Sequence, residues 1–138
     1  MKYKYYPGCS LEASAIEYDV STRAVMNALD TELIEIKDWN CCGATAAEPV
    51  SHLLSYALPA RNIALAEKNG TEDILVPCSA CYLNLKKVEM ERKKDRELSE
   101  RIDEVLSEED LTLENKVKIR HLLDVLANDI DPDIIKNR

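Results

Sequence analysis

The side chains with the most chemistry to offer are five cysteines. Cys9 stands alone, Cys41 and Cys42 are adjacent, and Cys78 and Cys81 have two residues between them. Written out, the pattern is C-x31-C-C-G-x34-C-x2-C, and it contains all five cysteines of the 138-residue chain. Thiolates are soft ligands that select soft metal ions and iron–sulfur clusters. An isolated cysteine can be a small buried hydrophobe, but a C-x-x-C beside a C-C pair does not read that way. A disulfide framework fits poorly, because the count is odd and a bond between neighbours is strained. A thioredoxin-type motif would use Cys78-Ser79-Ala80-Cys81 and leave three cysteines unexplained. A closed tetrahedral zinc site is the alternative: it needs four thiolates and leaves one spare. Five thiolates favour an iron–sulfur cluster, either one that is not a simple cubane or one with an iron open to an exogenous ligand.

Gly43 follows the vicinal pair. Without a side chain there, the backbone can approach a bulky cofactor closely. Backbone amides after Gly8 and Gly43, and at the starts of the following helices, are expected to donate to cluster sulfurs.

Such ligands need a frame. Tyr3 to Tyr6, followed by Pro7-Gly8, predicts a first strand and a turn. Ile16, Val20 and Ala24 recur at four-residue steps and predict a helix from about 13 to 29. Leu33 to Trp39 alternates, with β-branched Ile34 and Ile36, as a second strand does. Val50, Leu53, Leu54, Ala57 and Leu58 follow a helical period, with a kink or restart expected at Pro59 and an end at Asn69-Gly70. Asp73 to Pro77 suits a buried third strand. One long helix is expected from Cys81 to about Leu106, its charged middle solvated and its buried stripe made of Leu98, Ile102 and Val105. Lys116 to Arg120 reads as a fourth strand and Leu122 to Ala127 as a short helix, broken at Asp131-Pro132.

Strands and helices alternate. That order predicts an α/β fold: a single Rossmann-like domain over residues 1–138, with about four mostly parallel strands flanked by helices. Sheets of this kind bind ligands beyond the carboxyl ends of their strands. Cys9 follows the first strand, Cys41 and Cys42 the second, Cys78 and Cys81 the third, and His121 the fourth. Three distant segments therefore bring all five sulfurs to one edge. His121 on that edge is a candidate proton donor to a product thiolate. His52 reads as an ordinary helical residue. Lys4, Arg23 and Arg120 are candidate contacts for an anionic substrate, and the sequence singles out none of them.

A net charge of −8 argues against nucleic acid and anionic membranes as main partners. No run of about 18 apolar residues predicts a membrane span. The stretch Met1-Lys2-Tyr3-Lys4-Tyr5-Tyr6 has no apolar signal core, so a cytoplasmic location is expected, where thiols stay reduced.

Four strings carry a resemblance: Tyr5-Tyr6-Pro7-Gly8-Cys9, Asn40-Cys41-Cys42-Gly43-Ala44, Val76-Pro77-Cys78-Ser79-Ala80-Cys81-Tyr82 and Arg120-His121-Leu122-Leu123-Asp124-Val125-Leu126. Together they resemble the CCG cysteine-rich domain family, and within it the B subunits of CoB–CoM heterodisulfide reductases. In those subunits two CCG motifs, one per half, each imply a noncubane [4Fe-4S] cluster on five cysteines. By resemblance Cys9, Cys41, Cys42, Cys78 and Cys81 are the ligands of the first cluster, and the disulfide of coenzymes M and B lies between the two. The resemblance implies a second CCG half and electron-donating iron–sulfur and flavin subunits as partners. The family also holds subunits that pass electrons between a flavoprotein and quinone, thiol or fumarate. One motif is present here instead of two, so the chain reads as the N-terminal half of a two-motif subunit, with weak or no turnover alone.

Overall fold

Among the residues described by the computed structural model, 1–43 and 47–137, four short strands form one sheet. They are β1 (Lys2–Tyr5), β2 (Glu32–Glu35), β3 (Ile74–Val76) and β4 (Ile119–His121). Their order is β2-β1-β3-β4, and every neighbouring pair is parallel. The register sets Lys4 beside Ile34 on one side and Ile74 on the other, and Val76 beside His121.

Side chains alternate across a strand, and the sequence uses both faces. Tyr3, Tyr5 and Leu75 join Met26, Leu122 and Val125 on one face. Ile74, Val76 and Ile119 join Ile63, Leu85, Val88, Ile102 and Leu106 on the other. Helices α2 (Ile16–Ala28) and α7 (Leu122–Asn128) supply the first set. The second comes from α4 (His52–Lys68), α5 (Ser79–Lys94) and α6 (Arg96–Ser107). Burying each large aliphatic side chain of this kind is worth about 1.5–3 kcal/mol. Three short helices complete the chain: α1 (Cys9–Glu12), α3 (Ala47–Val50) and α8 (Pro132–Lys136). The expected α/β architecture with a parallel sheet is the observed one.

Several boundaries differ from expectation, each for a local reason. The single helix after Cys81 is two helices. Asp95 adopts an extended conformation between them, and its carboxylate accepts the Leu98 N–H at 3.0 Å as the cap of α6. The buried stripe of α6 is Leu98, Ile102 and Leu106, with Val105 only half-buried. Lys116 lies before β4, not in it, because the Glu67 carboxylate holds the Glu114 and Lys116 amides at 3.1 and 2.6 Å. The second strand ends at Glu35; Ile36 still donates to the Tyr5 carbonyl, but Asp38 turns the chain at φ +62°. Helix α4 runs through Pro59, which is buried, and stops at Asn69 as expected. Pro132 begins α8 instead of merely ending its predecessor, and Asp131 caps it at the Asp133 N–H. No helix among the described residues is long and apolar enough to cross a membrane.

Candidate metal centre

The cysteines sit where the strands hand over to helices. Gly8 leaves β1 with φ +80° and ψ 160°, a conformation that belongs to glycine, and Cys9 is the first residue of α1. Cys41, Cys42 and Gly43 occupy the segment after β2. Cys78 caps α5, and Cys81 lies in its first turn, so the C-x-x-C spacing is one helical turn. Ala44 lies outside the described residues.

The five sulfurs form one continuous run. Cys78 is in hydrogen-bond reach of Cys81. The Cys81 Sγ lies 3.5 Å from the Cys42 Sγ. The peptide between Cys42 and Cys41 leads to the second pair, in which the Cys41 and Cys9 sulfurs are 3.2 Å apart. Cys42 and Cys81 are buried, Cys78 is half-buried, and Cys9 and Cys41 are exposed. One end of the run is therefore sealed in the core and the other faces solvent.

Donors surround the run. The Gly43 N–H donates to the Cys41 Sγ at 3.4 Å; the amides expected as donors follow Gly43, in residues 44–46 outside the described residues. The Asn84 Nδ2 donates to the Cys42 Sγ at 3.4 Å, and the Ser10 Oγ approaches the Cys78 Sγ at 3.9 Å. A Cβ added to Gly8 would stand 2.8 Å from the Cys81 Sγ, so the backbone itself is packed against a sulfur. The Cys81 thiol is pushed far up, first by its hydrogen bond with Cys42 and then by burial. Burial also raises the Cys41 thiol, while the Gly43 N–H pulls it the other way. Thiols crowded in this way keep their protons unless a cation takes the charge.

The floor of the site is Tyr6, fully buried and edge-on to Trp39 with ring centroids 5.4 Å apart. Burial raises its phenol well above the usual range, and the neighbouring Cys42, Cys81, Cys41 and Cys9 raise it further. Its hydroxyl donates to the Asn40 carbonyl at 2.7 Å. That carbonyl also accepts from the Asn62 Nδ2 at 2.8 Å, while the Asn62 Oδ1 accepts the Asn40 N–H at 2.9 Å. Arg61 completes the frame, donating to the Asn40 Oδ1 and to Asp38.

His121 is the last residue of β4 and the cap of α7. Its Nδ1 accepts the Leu123 N–H at 3.1 Å, which leaves the proton of the neutral ring on Nε2, 3.3 Å from the Ser79 Oγ. Its ring meets Tyr82 edge-on. His121 thus joins the cysteine-bearing edge through Ser79, the residue after Cys78.

The three candidate cations are engaged elsewhere. Lys4 is buried and donates to the Asn69 carbonyl, at the carboxyl end of α4. Arg23 is held by Asp19 and Glu35. Arg120 is held by Asp73, Asp124 and Asp129. A residue's charge is visible in sequence; its commitment to an internal partner is not. His52 is the first residue of α4, edge-on to Tyr56. A cleft of about 290 Å³ beside β2, between Lys4, Ile34, Ile36 and Leu65, contains no cysteine.

Sequence reasoning missed Tyr6, Asn62 and Asn84. Only Asn84 left a signal: Cys78, Cys81 and Asn84 recur at three-residue steps on one helix face.

A family model described as CCG, cysteine-rich domain, matches residues 3–86. Among curated proteins, the 8-methylmenaquinol:fumarate reductase membrane anchor subunit of Wolinella succinogenes is 34% identical over 94% of this chain and 45% of its own length. A protein of Archaeoglobus profundus described as like the heterodisulfide reductase B subunit is 28% identical over 99% of this chain and 46% of its own. The B subunit of the ferredoxin:CoB-CoM heterodisulfide reductase of Methanosarcina mazei is 26% identical over 98% and 45%. The chain thus spans about half the length of the curated relatives it matches. A hypothetical protein from Helicobacter pylori, known from its crystal structure, shares the fold. Its TM-score is 0.79 at 16% identity, over 92% of this chain and 25% of that one.

Proposed function

The chain belongs to the CCG family of cysteine-rich domains, and from that membership we propose that Cys9, Cys41, Cys42, Cys78 and Cys81 hold an iron–sulfur cluster in one subunit of a larger oxidoreductase. The observation that carries this reading is the single run of five sulfurs, buried at Cys42 and Cys81 and open at Cys9 and Cys41. Paired thiols, Cys9 with Cys41 and Cys42 with Cys81, match a group larger than one ion, and Gly8 lets the backbone pack directly against the Cys81 sulfur, where a Cβ would clash at 2.8 Å. The donor set fits an iron–sulfur cluster. Five ligands favour the noncubane [4Fe-4S] form over a four-thiolate cubane, with zinc as the alternative.

When bound, such a cluster would supply electrons singly to a substrate or to a partner's cofactor. The chain's own part is structural and electrostatic. Tyr6 and the Cys42–Cys81 end exclude water. The Asn40 frame fixes the vicinal pair, and Gly43 donates a hydrogen bond to sulfur. The His121 Nε2–H can donate a hydrogen bond on the same edge to a thiolate released by disulfide cleavage, with solvent supplying the proton.

The reaction in this reading is reduction of the disulfide of coenzymes M and B by two electrons and two protons. The chain acts as the N-terminal CCG half of a two-motif subunit, with the second half and iron–sulfur and flavin subunits as partners in the cytoplasm. The second reading is electron transfer in a quinol- and fumarate-linked enzyme. It is favoured by one observation, the 34% identity to the Wolinella protein against 26% and 28% for the heterodisulfide relatives.

The deciding experiment is iron, sulfide and zinc analysis of anaerobically purified and reconstituted protein. About four irons with equal sulfide per chain is expected; zinc alone after reconstitution overturns the reading. Spectra of the oxidised protein with and without coenzyme M thiol then separate the branches. A thiol-dependent change supports the disulfide reaction, and its absence moves the assignment to the quinol–fumarate branch.

A further inference from the structure

Asn84 is a polar side chain in a place that packing alone would give to an apolar one. It lies on α5 between Cys81 and the core residues Leu85 and Val88, and it is 8% exposed. Its Nδ2 donates to the Cys42 Sγ at 3.4 Å, and both groups are buried. A buried amide persists where it is hydrogen-bonded, and here a partner is a ligand sulfur. The three-residue step that carries Cys78 and Cys81 along α5 carries Asn84 as well, so one helix face delivers two ligands and one donor.

The vicinal cysteines are treated alike. Cys41 accepts the main-chain N–H of Gly43 at 3.4 Å, and Cys42 accepts the side-chain N–H of Asn84 at the same distance. Substitution cannot delete the first donor without altering the turn. The second rests on one side chain, in surroundings where low dielectric strengthens it.

We propose that Asn84 is a positioning residue for Cys42 that sets the reduction potential of the group the five cysteines hold, a proposal that rests on the iron–sulfur reading above. An N–H aimed at a ligand sulfur favours the state with more negative charge on that sulfur, which is the reduced state. With Asn84 the group is easier to reduce; without it reduction needs a stronger donor. The effect is on the potential, and the ligand count does not change.

The test is an anaerobic redox titration, followed by visible and electron paramagnetic resonance spectra, of the full reconstituted chain and two variants. Asn84→Leu removes the donor at similar volume, and Asn84→Asp keeps the shape of the amide while replacing the donor by a carboxylate. Both are expected to keep wild-type iron and sulfide. At the wild-type midpoint the reduced-to-oxidised ratio should fall about tenfold, a negative shift of about 59 mV for one electron, with the larger shift in Asn84→Asp. An unchanged or more positive midpoint in Asn84→Asp overturns the proposal and leaves the iron–sulfur reading standing. Asn84→Asp decides alone if Asn84→Leu does not fold. Loss of iron from both variants also overturns it, since a donor that only tunes the potential is not needed for retention. A wild-type chain that takes up no iron and sulfide removes both readings at once.

Discussion

Asn62 grips Asn40 with both ends of its side chain, accepting the Asn40 N–H at 2.9 Å on Oδ1 and donating to the Asn40 carbonyl at 2.8 Å from Nδ2. This is the pairing a neighbouring strand would offer, supplied here by one fully buried amide on α4. β2 has ended five residues earlier, so the segment entering Cys41 has no ladder to hold it. Asn62, Tyr6 and Arg61 hold it instead, and the cysteine pair inherits its position from them.

The clamp predicts a large effect from a small change. Asn62→Leu keeps the volume but leaves the Asn40 amide and one carbonyl contact unmatched in the core. Destabilisation of about 2–3 kcal/mol is expected, read as a lower urea midpoint. A loss below about 0.5 kcal/mol would show that water replaces the clamp.

Gly8 is the second sensitive point. At φ +80° and ψ 160° a side chain is strained by about 1–3 kcal/mol, and its Cβ would press on the Cys81 Sγ at 2.8 Å. Gly8→Ala should therefore lower both the denaturation midpoint and the iron bound on reconstitution. Wild-type values of both would mean that the turn relaxes freely.

Much of this site was legible in the sequence. Alternation and period located four strands and the main helices, and strand ends located Cys9, Cys78 and Cys81. The limits were set by side chains acting on distant backbone. Glu67 holds the amides of Glu114 and Lys116 and delays β4; nothing near residue 116 announces it. Asp95 splits one helix into two because its carboxylate reaches Leu98 as a cap, within a charged run that reads as uniformly solvated. Lys4 and Arg120 read as free cations until their partners are seen.

The ligand set gives a prediction that separates metals. A four-thiolate zinc site would leave one of the five cysteines dispensable. A cluster on five would not. Each of Cys9→Ser, Cys41→Ser, Cys42→Ser, Cys78→Ser and Cys81→Ser is expected to lower reconstituted iron well below the wild-type level. One variant that retains full metal would identify the spare thiol and favour four-fold ligation.

Asp129 links the sheet to the carboxyl end of α7. It accepts from Arg120 at 2.9 and 3.1 Å and from the Tyr3 hydroxyl. Arg120 first, then Tyr3, hold its carboxyl below the usual carboxylate range. A depressed folded value means that the contribution is complete above the unfolded value of about 4. It is lost as pH falls through the lower, folded value. Asp129→Asn should thus be less stable than wild type at pH 7, with the gap closing below about pH 4. A gap independent of pH would assign the effect to packing.

His121 combines two roles that substitution can separate. Its Nδ1 caps α7 by accepting the Leu123 N–H, and its Nε2 faces Ser79 on the cysteine-bearing edge. Removing a cap costs about 1 kcal/mol, so His121→Ala should destabilise by that amount. His121→Asn should recover most of it, because asparagine caps through Oδ1. Neither variant keeps the imidazole Nε2–H at the edge. In an enzyme assembled as proposed above, both should slow turnover about 100-fold if the Nε2–H stabilises the released thiolate, whereas only His121→Ala should be impaired if its role is the cap. Full turnover by His121→Asn would confine His121 to holding α7 in place.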